Sequence, residues 1–458
     1  MKFRMLTLLW LTFSWTAKAQ DEKKDSATLK QMSNYILTHY QCYTDLHDLC
    51  KNIGHRLSGS VQAEQAVSWA KATLEKTGCD HVYLQEVMVP HWVRGEERAT
   101  VILPNGKKNP LRISSLGNAV GTGPQGLTAP VIRVNNIDEL KRLAPAEVAG
   151  KIVFFNFRFD QTNVNTFESY GPCVYYRWGA PSEASKLGAV ATIIRSVSSA
   201  YDNKPHTGAM RYDTKYPSIP AVAISNLDAD ELEKLTEKGQ KISINMTTTC
   251  AMLPDVKSYN VVAEITGSEL PNEIITFGGH LDSWDIGEGA HDDGAGVVQA
   301  IEVIRTFQTL GIRPKRTVRA VLFMNEENGL RGGTRYAELA EQNHEKHILA
   351  IESDAGGGIP LGFGMIMDKD KRDKVKSWKN LFEPYGVYNF DSDGGGADIS
   401  PLHKKLNVPV MELLPNSQRY FDMHHSDNDV FENIHRRELC IGATAMAAMV
   451  YLTSTYGL

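Results

Sequence analysis

The chain has little surplus charge. Its 49 Lys and Arg against 54 Asp and Glu leave a formal net charge of −5 over 458 residues. Nucleic-acid binding needs a marked basic surplus, so that class of partner is not expected. Cysteine is scarce too, with only six in the chain. Cys42, Cys50, Cys79, Cys173, Cys250 and Cys440 include no C-x-x-C pair, which excludes the common zinc-ribbon and dithiol redox motifs. If residues 33–51 are helical, the eight-residue rise of about 12 Å keeps Cys42 from bridging Cys50. The cysteines are read as structural, since a chain of this length buries a sizeable core without disulfide staples. Beyond the N-terminus no apolar run reaches the roughly 20 residues of a membrane span.

The first residues do carry a pattern. Lys2 and Arg4 precede an apolar run over 6–15, and Ala17-Lys18-Ala19 is followed by Gln20. That order of charge, apolar run and small residues reads as a secretory signal peptide over 1–19, cleaved near Ala19-Gln20. No cysteine follows to take a lipid. The expected product is soluble and secreted or periplasmic.

The length suggests two to three domains. Residues 28–78 look helical, with Ala66, Val67, Ala70 and Leu74 at helix spacing and Gly78 as a stop. Alternating runs at 82–89 and 99–103 read as strands. Gly117, Gly121, Gly123, Pro124 and Gly126 form a loose linker. A mixed unit then runs to Cys250, with strands at 130–134, 152–157, 190–195 and 219–224 and a helix at 182–187. It holds no dense group of metal-ligand residue types and is read as a lid or interaction module. From residue 260 strands and helices alternate: strands at 261–265, 274–277, 318–324, 348–351 and 408–413, helices at 295–310, 333–345, 371–385 and 436–451. That alternation predicts an α/β sheet covered on both faces. The expected division is 20–116 and 251–458 in one domain, with 117–250 inserted.

In such sheets ligands gather beyond the carboxyl ends of the strands. His280 ends the strand at 274–277, with Asp282 two residues on, where its carboxylate can accept the ring's other N–H. His291-Asp292-Asp293-Gly294 opens the next helix, where two acids also serve as caps. Glu326-Glu327 follows the strand at 318–324. Two adjacent buried glutamates are costly unless one is neutralised by a cation; a solvated loop would look the same. Asp354 follows the strand at 348–351, and His424-His425 lie among acids near the C-terminus. Each feature alone has a plain structural explanation. Together they supply His280, Asp292, Glu327, Asp354 and His425, the nitrogen and oxygen donors zinc accepts, in a number that suits two ions sharing one carboxylate.

At these residues the chain resembles the zinc peptidases of the M28 clan, and within it the exported dipeptidase branch called carboxypeptidase Q. The resemblance is carried by Gly279-His280-Leu281-Asp282-Ser283-Trp284-Asp285, Asp292-Asp293-Gly294, Glu326-Glu327, Glu352-Ser353-Asp354-Ala355-Gly356 and His424-His425-Ser426. It extends to Arg56-Leu57-Ser58-Gly59-Ser60, Pro90-His91-Trp92, Arg195-Ser196-Val197 and Pro205-His206-Thr207-Gly208, and so covers nearly the whole mature chain. It implies a zinc-exopeptidase three-layer αβα sandwich with a mixed central sheet and a protease-associated insert near 117–250. Asp292 would bridge two Zn2+, one also held by His280 and Asp354, the other by Glu327 and His425. Glu326 would be the general base and Asp282 would orient His280; Asp293 stands where relatives often carry a non-trans peptide bond. His424 would assist the oxyanion. Asp398 is a candidate for holding a substrate amine, although a turn or cap role is the plainer reading. The implied substrates are dipeptides or short peptides, and relatives form homodimers. Ser426 and Val430 replace threonines common in the family, and neither change removes a ligand. Two other outcomes fit the same fold: a single-zinc glutaminyl cyclase, or a non-catalytic receptor-like protein. The insert and the Gly-His-Leu-Asp-Ser-Trp stretch favour the peptidase over the first, and the complete ligand set argues against the second.

Overall fold

Alternating apolar runs that cannot be solvated on either face build the centre of the molecule. The computed structural model describes the backbone of residues 3–458 and the side chains from residue 21 on; the leader read at 1–19 lies outside the fully described residues. Strands are numbered along the chain as β1 (His81–Val93), β2 (Glu97–Ile102), β3 (Lys108–Leu111), β4 (Ile113–Ser115), β5 (Leu127–Val134), β6 (Ile152–Phe155), β7 (Ala191–Arg195) and β8 (Ala221–Ile224). They continue as β9 (Ser243–Thr248), β10 (Ala251–Ile265), β11 (Leu270–His280), β12 (Arg316–Phe323), β13 (Lys346–Glu352), β14 (Pro360–Ile366) and β15 (Val410–Pro415).

Seven of them form one mixed sheet in the order β1-β10-β12-β11-β13-β15-β14. β12, β11, β13 and β15 run parallel, while β1, β10 and β14 are antiparallel to their neighbours. β12 is buried almost throughout and β11 from Ile274 to His280, as expected of strands covered on both faces. One face packs on helices Gln41–Asp48, Val61–Glu75, Ala295–Thr309 and Arg436–Tyr456. The other packs on Arg331–Gln342 and Ser400–Leu406 through Val262, Val321, Phe323, Ala337 and Leu402. The expected helix–sheet–helix layering and mixed sheet are therefore present.

The second sheet has eight strands in the order β3-β2-β9-β5-β6-β7-β8-β4. It takes in β2, β3 and β4, which precede residue 117, because β2 pairs with β9 and β4 with β8. Residues 20–116 thus contribute to both sheets, joined where β1 passes into β2. Helix Phe167–Trp178 was not anticipated because Gly171 and Pro172 stand inside it. The helix expected at 371–385 is instead three short pieces, Lys369–Lys376, Lys379–Phe382 and Glu383–Tyr385, with Pro384 in the last. Helix Arg436–Tyr456 corrects the expectation that no later segment matches a span: its length and composition do. Its apolar faces are buried against the sheet and helix Ala295–Thr309, which explains the composition without a membrane.

One buried charge, on β12, is closely paired. Arg319 on β12 contacts Glu264 at 2.5 Å and Glu345 at 2.7 Å. Burial pushes the Glu345 carboxyl up, but hydrogen bonds from His347 and Arg319 outweigh it and hold it at about 2. A carboxyl held below its unfolded value of about 4.3 stabilises the fold above that value and loses the contribution as pH falls toward 2. Urea unfolding of Glu345→Gln should therefore show lower stability at neutral pH and a flatter decline below about pH 4.5 than the unsubstituted chain. Parallel curves for the two proteins would show that Glu345 does not carry this dependence.

Candidate metal centre

The order of the parallel strands decides which side chains meet. β11 lies between β12 and β13, with His280 beside Phe323 and Gly278 beside Glu352. His280 therefore stands at the middle of the sheet's carboxyl edge. The Glu326-Glu327 turn leaves β12 on one side of it and Asp354 leaves β13 on the other. The loop after β15 brings in His424 and His425, and the turn before helix Ala295–Thr309 brings in Asp292.

Asp292 is the hub. Its Oδ1 lies 3.1 Å from His280 Nε2, and its Oδ2 lies 3.1 Å from His425 Nε2 and 3.6 Å from His424 Nε2. Asp354 Oδ1 is 3.3 Å from His280 Nε2, and Glu327 Oε2 is 3.1 Å from His425 Nε2. His280, Asp292 and Asp354 thus form one group and Asp292, His424 and His425 a second, which share Asp292, and Glu327 reaches the second through His425.

The hydrogen bonds around the rings fix which nitrogen faces the group. His280 Nδ1 lies 3.0 Å from the carbonyl oxygen of Asp282. A carbonyl only accepts, so Nδ1 carries the proton and a neutral ring presents a bare Nε2. This corrects one expectation. Asp282 holds His280 through its main-chain oxygen, while its carboxylate is 3.9 Å from Nδ1. That carboxylate instead accepts the N–H groups of Asn325 at 2.7 Å and Glu326 at 3.1 Å. It points across to the end of β12 and fixes the turn that displays the paired glutamates.

Asp293 accepts from His280 N at 3.0 Å and Gly296 N at 2.9 Å, tying β11 to the start of helix Ala295–Thr309. The peptide bond between Asp292 and Asp293 is cis. Gly279 and Gly296 are needed here, because a Cβ would sit 2.1 Å and 2.5 Å from Asp293 Oδ2. Asp429 accepts from the main-chain N–H groups of His291 at 2.6 Å and Asp292 at 3.1 Å, holding the hub in place. Arg56, fully buried, donates to the carbonyls of Leu281, Glu288 and Gly289. It braces the loop between His280 and Asp292. Neither support was assigned from sequence; the Arg56-Leu57-Ser58-Gly59-Ser60 run was the only available hint of the second.

Comparison with known proteins places these residues in a family. Carboxypeptidase Q from Mus musculus is 37% identical over 412 residues, spanning 90% of this chain and 85% of that protein. The chain belongs to peptidase family M28. The family model described as Peptidase family M28 matches residues 260–450, and the human carboxypeptidase Q is also 37% identical over 412 residues. Among solved structures, a peptidase M28 precursor from Shewanella amazonensis superposes with a TM-score of 0.90 at 34% identity, covering 95% of this chain and 97% of that one. A zinc aminopeptidase from Bacillus subtilis shares the fold, with a TM-score of 0.65 at 20% identity over 91% of this chain and 95% of that one. The chain is accordingly a metallopeptidase.

The donor set fits a cation. Asp292 Oδ2 is buried and makes no hydrogen bond. Asp292, Glu327 and Asp354 crowd together, and burial together with this mutual repulsion raises the Glu327 and Asp354 carboxyls above their ordinary values. Burying that many carboxylates without a neutralising charge is strongly unfavourable. The second sheet's unit completes the enclosure. Thr207 N donates to His425 O at 2.8 Å, and Thr207 O faces His425 Nδ1 at 3.2 Å. Arg177 Nη1 lies 3.1 Å from the same His425 Nδ1, and Arg177 and Tyr170 line the cavity. The resulting cavity has a volume of about 840 Å³ and is lined by Glu326, Asp354 and His424 from one side and Phe167, Tyr170 and Arg211 from the other. Asp398, in contrast, is buried behind Ala397 with neither carboxylate oxygen hydrogen-bonded.

Zinc added to the metal-stripped chain should raise its unfolding free energy, by about 3 kcal/mol when zinc exceeds its Kd a hundredfold. The increment should fall sharply in His280→Ala and His425→Ala. An unchanged melting curve on zinc addition to the intact chain would refute a metal site here.

Proposed function

We propose that the chain is an exported di-zinc exopeptidase that hydrolyses dipeptides or other short peptides. The observation that carries this reading is the pair of donor groups sharing Asp292 at the floor of a cavity walled by the second sheet's unit. One zinc would be held by His280, Asp292 and Asp354, the other by Asp292, Glu327 and His425. Two ions are favoured over one by charge: three ligand carboxylates and Glu326 together match two divalent cations. Bound zinc supplies Lewis acidity, which acidifies water and polarises a carbonyl.

Glu326 is the general base. It is only partly buried, lines the cavity, and makes no contact with either histidine of the kind Glu327 makes with His425. Burial pushes its carboxyl up to about 8, with Asp354 and Asp292 adding to the rise against the opposing effect of His280. Cations held by the neighbouring ligands would oppose that rise and leave a carboxylate able to take a proton from the attacking water and return it to the leaving amine. Asp282 keeps both Glu326 and His280 in position. His424, stacked on His425 with ring centroids 3.6 Å apart, faces the cavity and assists at the developing oxyanion. Asp398, the sequence's candidate for the substrate's ammonium group, is buried and lines no part of the cavity, so the turn reading is kept for it.

Residues 117–250 act as the protease-associated insert, whose wall limits the length of peptide that enters. The carboxypeptidase Q relatives support the dipeptidase reading, and the leader pattern at 1–19 supports export. A chelator-sensitive hydrolysis of free dipeptides tests the whole reading. Absence of hydrolysis with zinc restored, or cyclisation of N-terminal glutamine instead, would overturn it. Glu326→Gln should bind zinc normally and lose at least about a hundredfold in kcat, and near-normal turnover would remove it as the base.

A further inference from the structure

Of the six cysteines, two face each other across the core. Cys42 Sγ, on helix Gln41–Asp48, lies 3.6 Å from Cys440 Sγ, on helix Arg436–Tyr456. Both are buried, at 0% and 1% exposure. The other sulfur contacts among the described residues run from Cys79, Cys173 and Cys250 to main-chain carbonyls, with no second sulfur approached. A disulfide needs an S–S distance of about 2.05 Å, so closing the bond from this separation moves each sulfur by roughly 0.8 Å.

We infer that Cys42 and Cys440 form a disulfide when the chain matures in an oxidising compartment. The oxidant is an exchangeable disulfide, carried by a dithiol oxidoreductase or by glutathione. One cysteine, as its thiolate, attacks that disulfide, forms a mixed disulfide and expels a thiolate. The second cysteine thiolate then attacks the protein sulfur of the mixed disulfide and expels the other half of the oxidant. Two protein thiols are oxidised, the oxidant's disulfide is reduced to two thiols, and two protons move from protein to oxidant. Because both sulfurs are buried in the finished fold, the exchange takes place during folding or local opening.

The bond would join segments 398 residues apart. A link closing so long a loop restricts the unfolded chain strongly. Its position also matters. Helix Gln41–Asp48 leads into the segment carrying Arg56, which braces the loop between His280 and Asp292. Helix Arg436–Tyr456 follows the segment carrying His425 and Asp429. The cross-link therefore fastens together two of the supports of the metal centre.

The test does not depend on peptidase activity. The full chain is equilibrated in a glutathione redox buffer, quenched in acid, denatured, alkylated and analysed by mass spectrometry before and after reduction. Expected are a Cys42–Cys440 cross-linked peptide and two alkylation sites that appear only after reduction. Cys440→Ser should show the same alkylation with and without reduction. Reduction should lower the melting temperature of the unsubstituted chain by about 5 °C and leave Cys440→Ser unmoved. Full alkylation of Cys42 and Cys440 without reduction, or a bond from either to another cysteine, would overturn the inference. Equal melting shifts in the two proteins would likewise contradict it.

Discussion

The arrangement turns on the burial of the Asp292 carboxylate. One of its oxygens faces His280 and the other faces His425 and His424, and the second of these is left without a hydrogen bond. A buried charged oxygen without a hydrogen bond is strongly unfavourable unless a cation completes it. The surrounding structure is organised to hold that oxygen in place. Asp429 grips the main chain of Asp292, Asp293 ties the same turn to β11, and Arg56 secures the loop that joins them. The main-chain oxygen of Asp282 sets the His280 ring, and Thr207 O and Arg177 flank Nδ1 of the His425 ring.

That organisation draws on both sheets. The seven-stranded sheet places His280, Glu326, Glu327 and Asp354 along one edge because β12, β11 and β13 are parallel neighbours. The second sheet contributes no expected ligand. Its loops position His425 and wall the cavity through Tyr170, Arg177 and Arg211. His206 Nδ1 lies 2.6 Å from the carbonyl of His424, so the histidine loop is held from that side as well. Chemistry and access are thus divided between two units of one chain, and a change in the second unit acts on the first through the His424-His425 loop.

Much of this could be read from the residues. Apolar runs located β11, β12, β13 and β15, and the candidate ligands followed such runs, opened a helix or lay in the loop near the C-terminus. The residues of β14 and of helix Phe167–Trp178 were less informative: the first is a short edge strand beginning with proline, the second contains Gly171 and Pro172. Main-chain partners were not legible either. Asp282 looked like a carboxylate partner for His280, but its side chain serves the turn at Asn325 and Glu326 instead.

The sequence by itself determined the alternation of strands and helices, the residue types able to bind a cation, and their location beyond strand ends. These follow from local periodicity and from the donor chemistry of individual side chains. Only the tertiary structure decided that His280 and His425, 145 positions apart, meet at one aspartate. It also separated the surroundings of Glu326 and Glu327: one is left facing the cavity, and the other lies against His425. Adjacent glutamates are equivalent in composition and spacing. What distinguishes them is the direction each side chain takes from the end of β12, which depends on strand order and on the Asp282 carboxylate across the sheet.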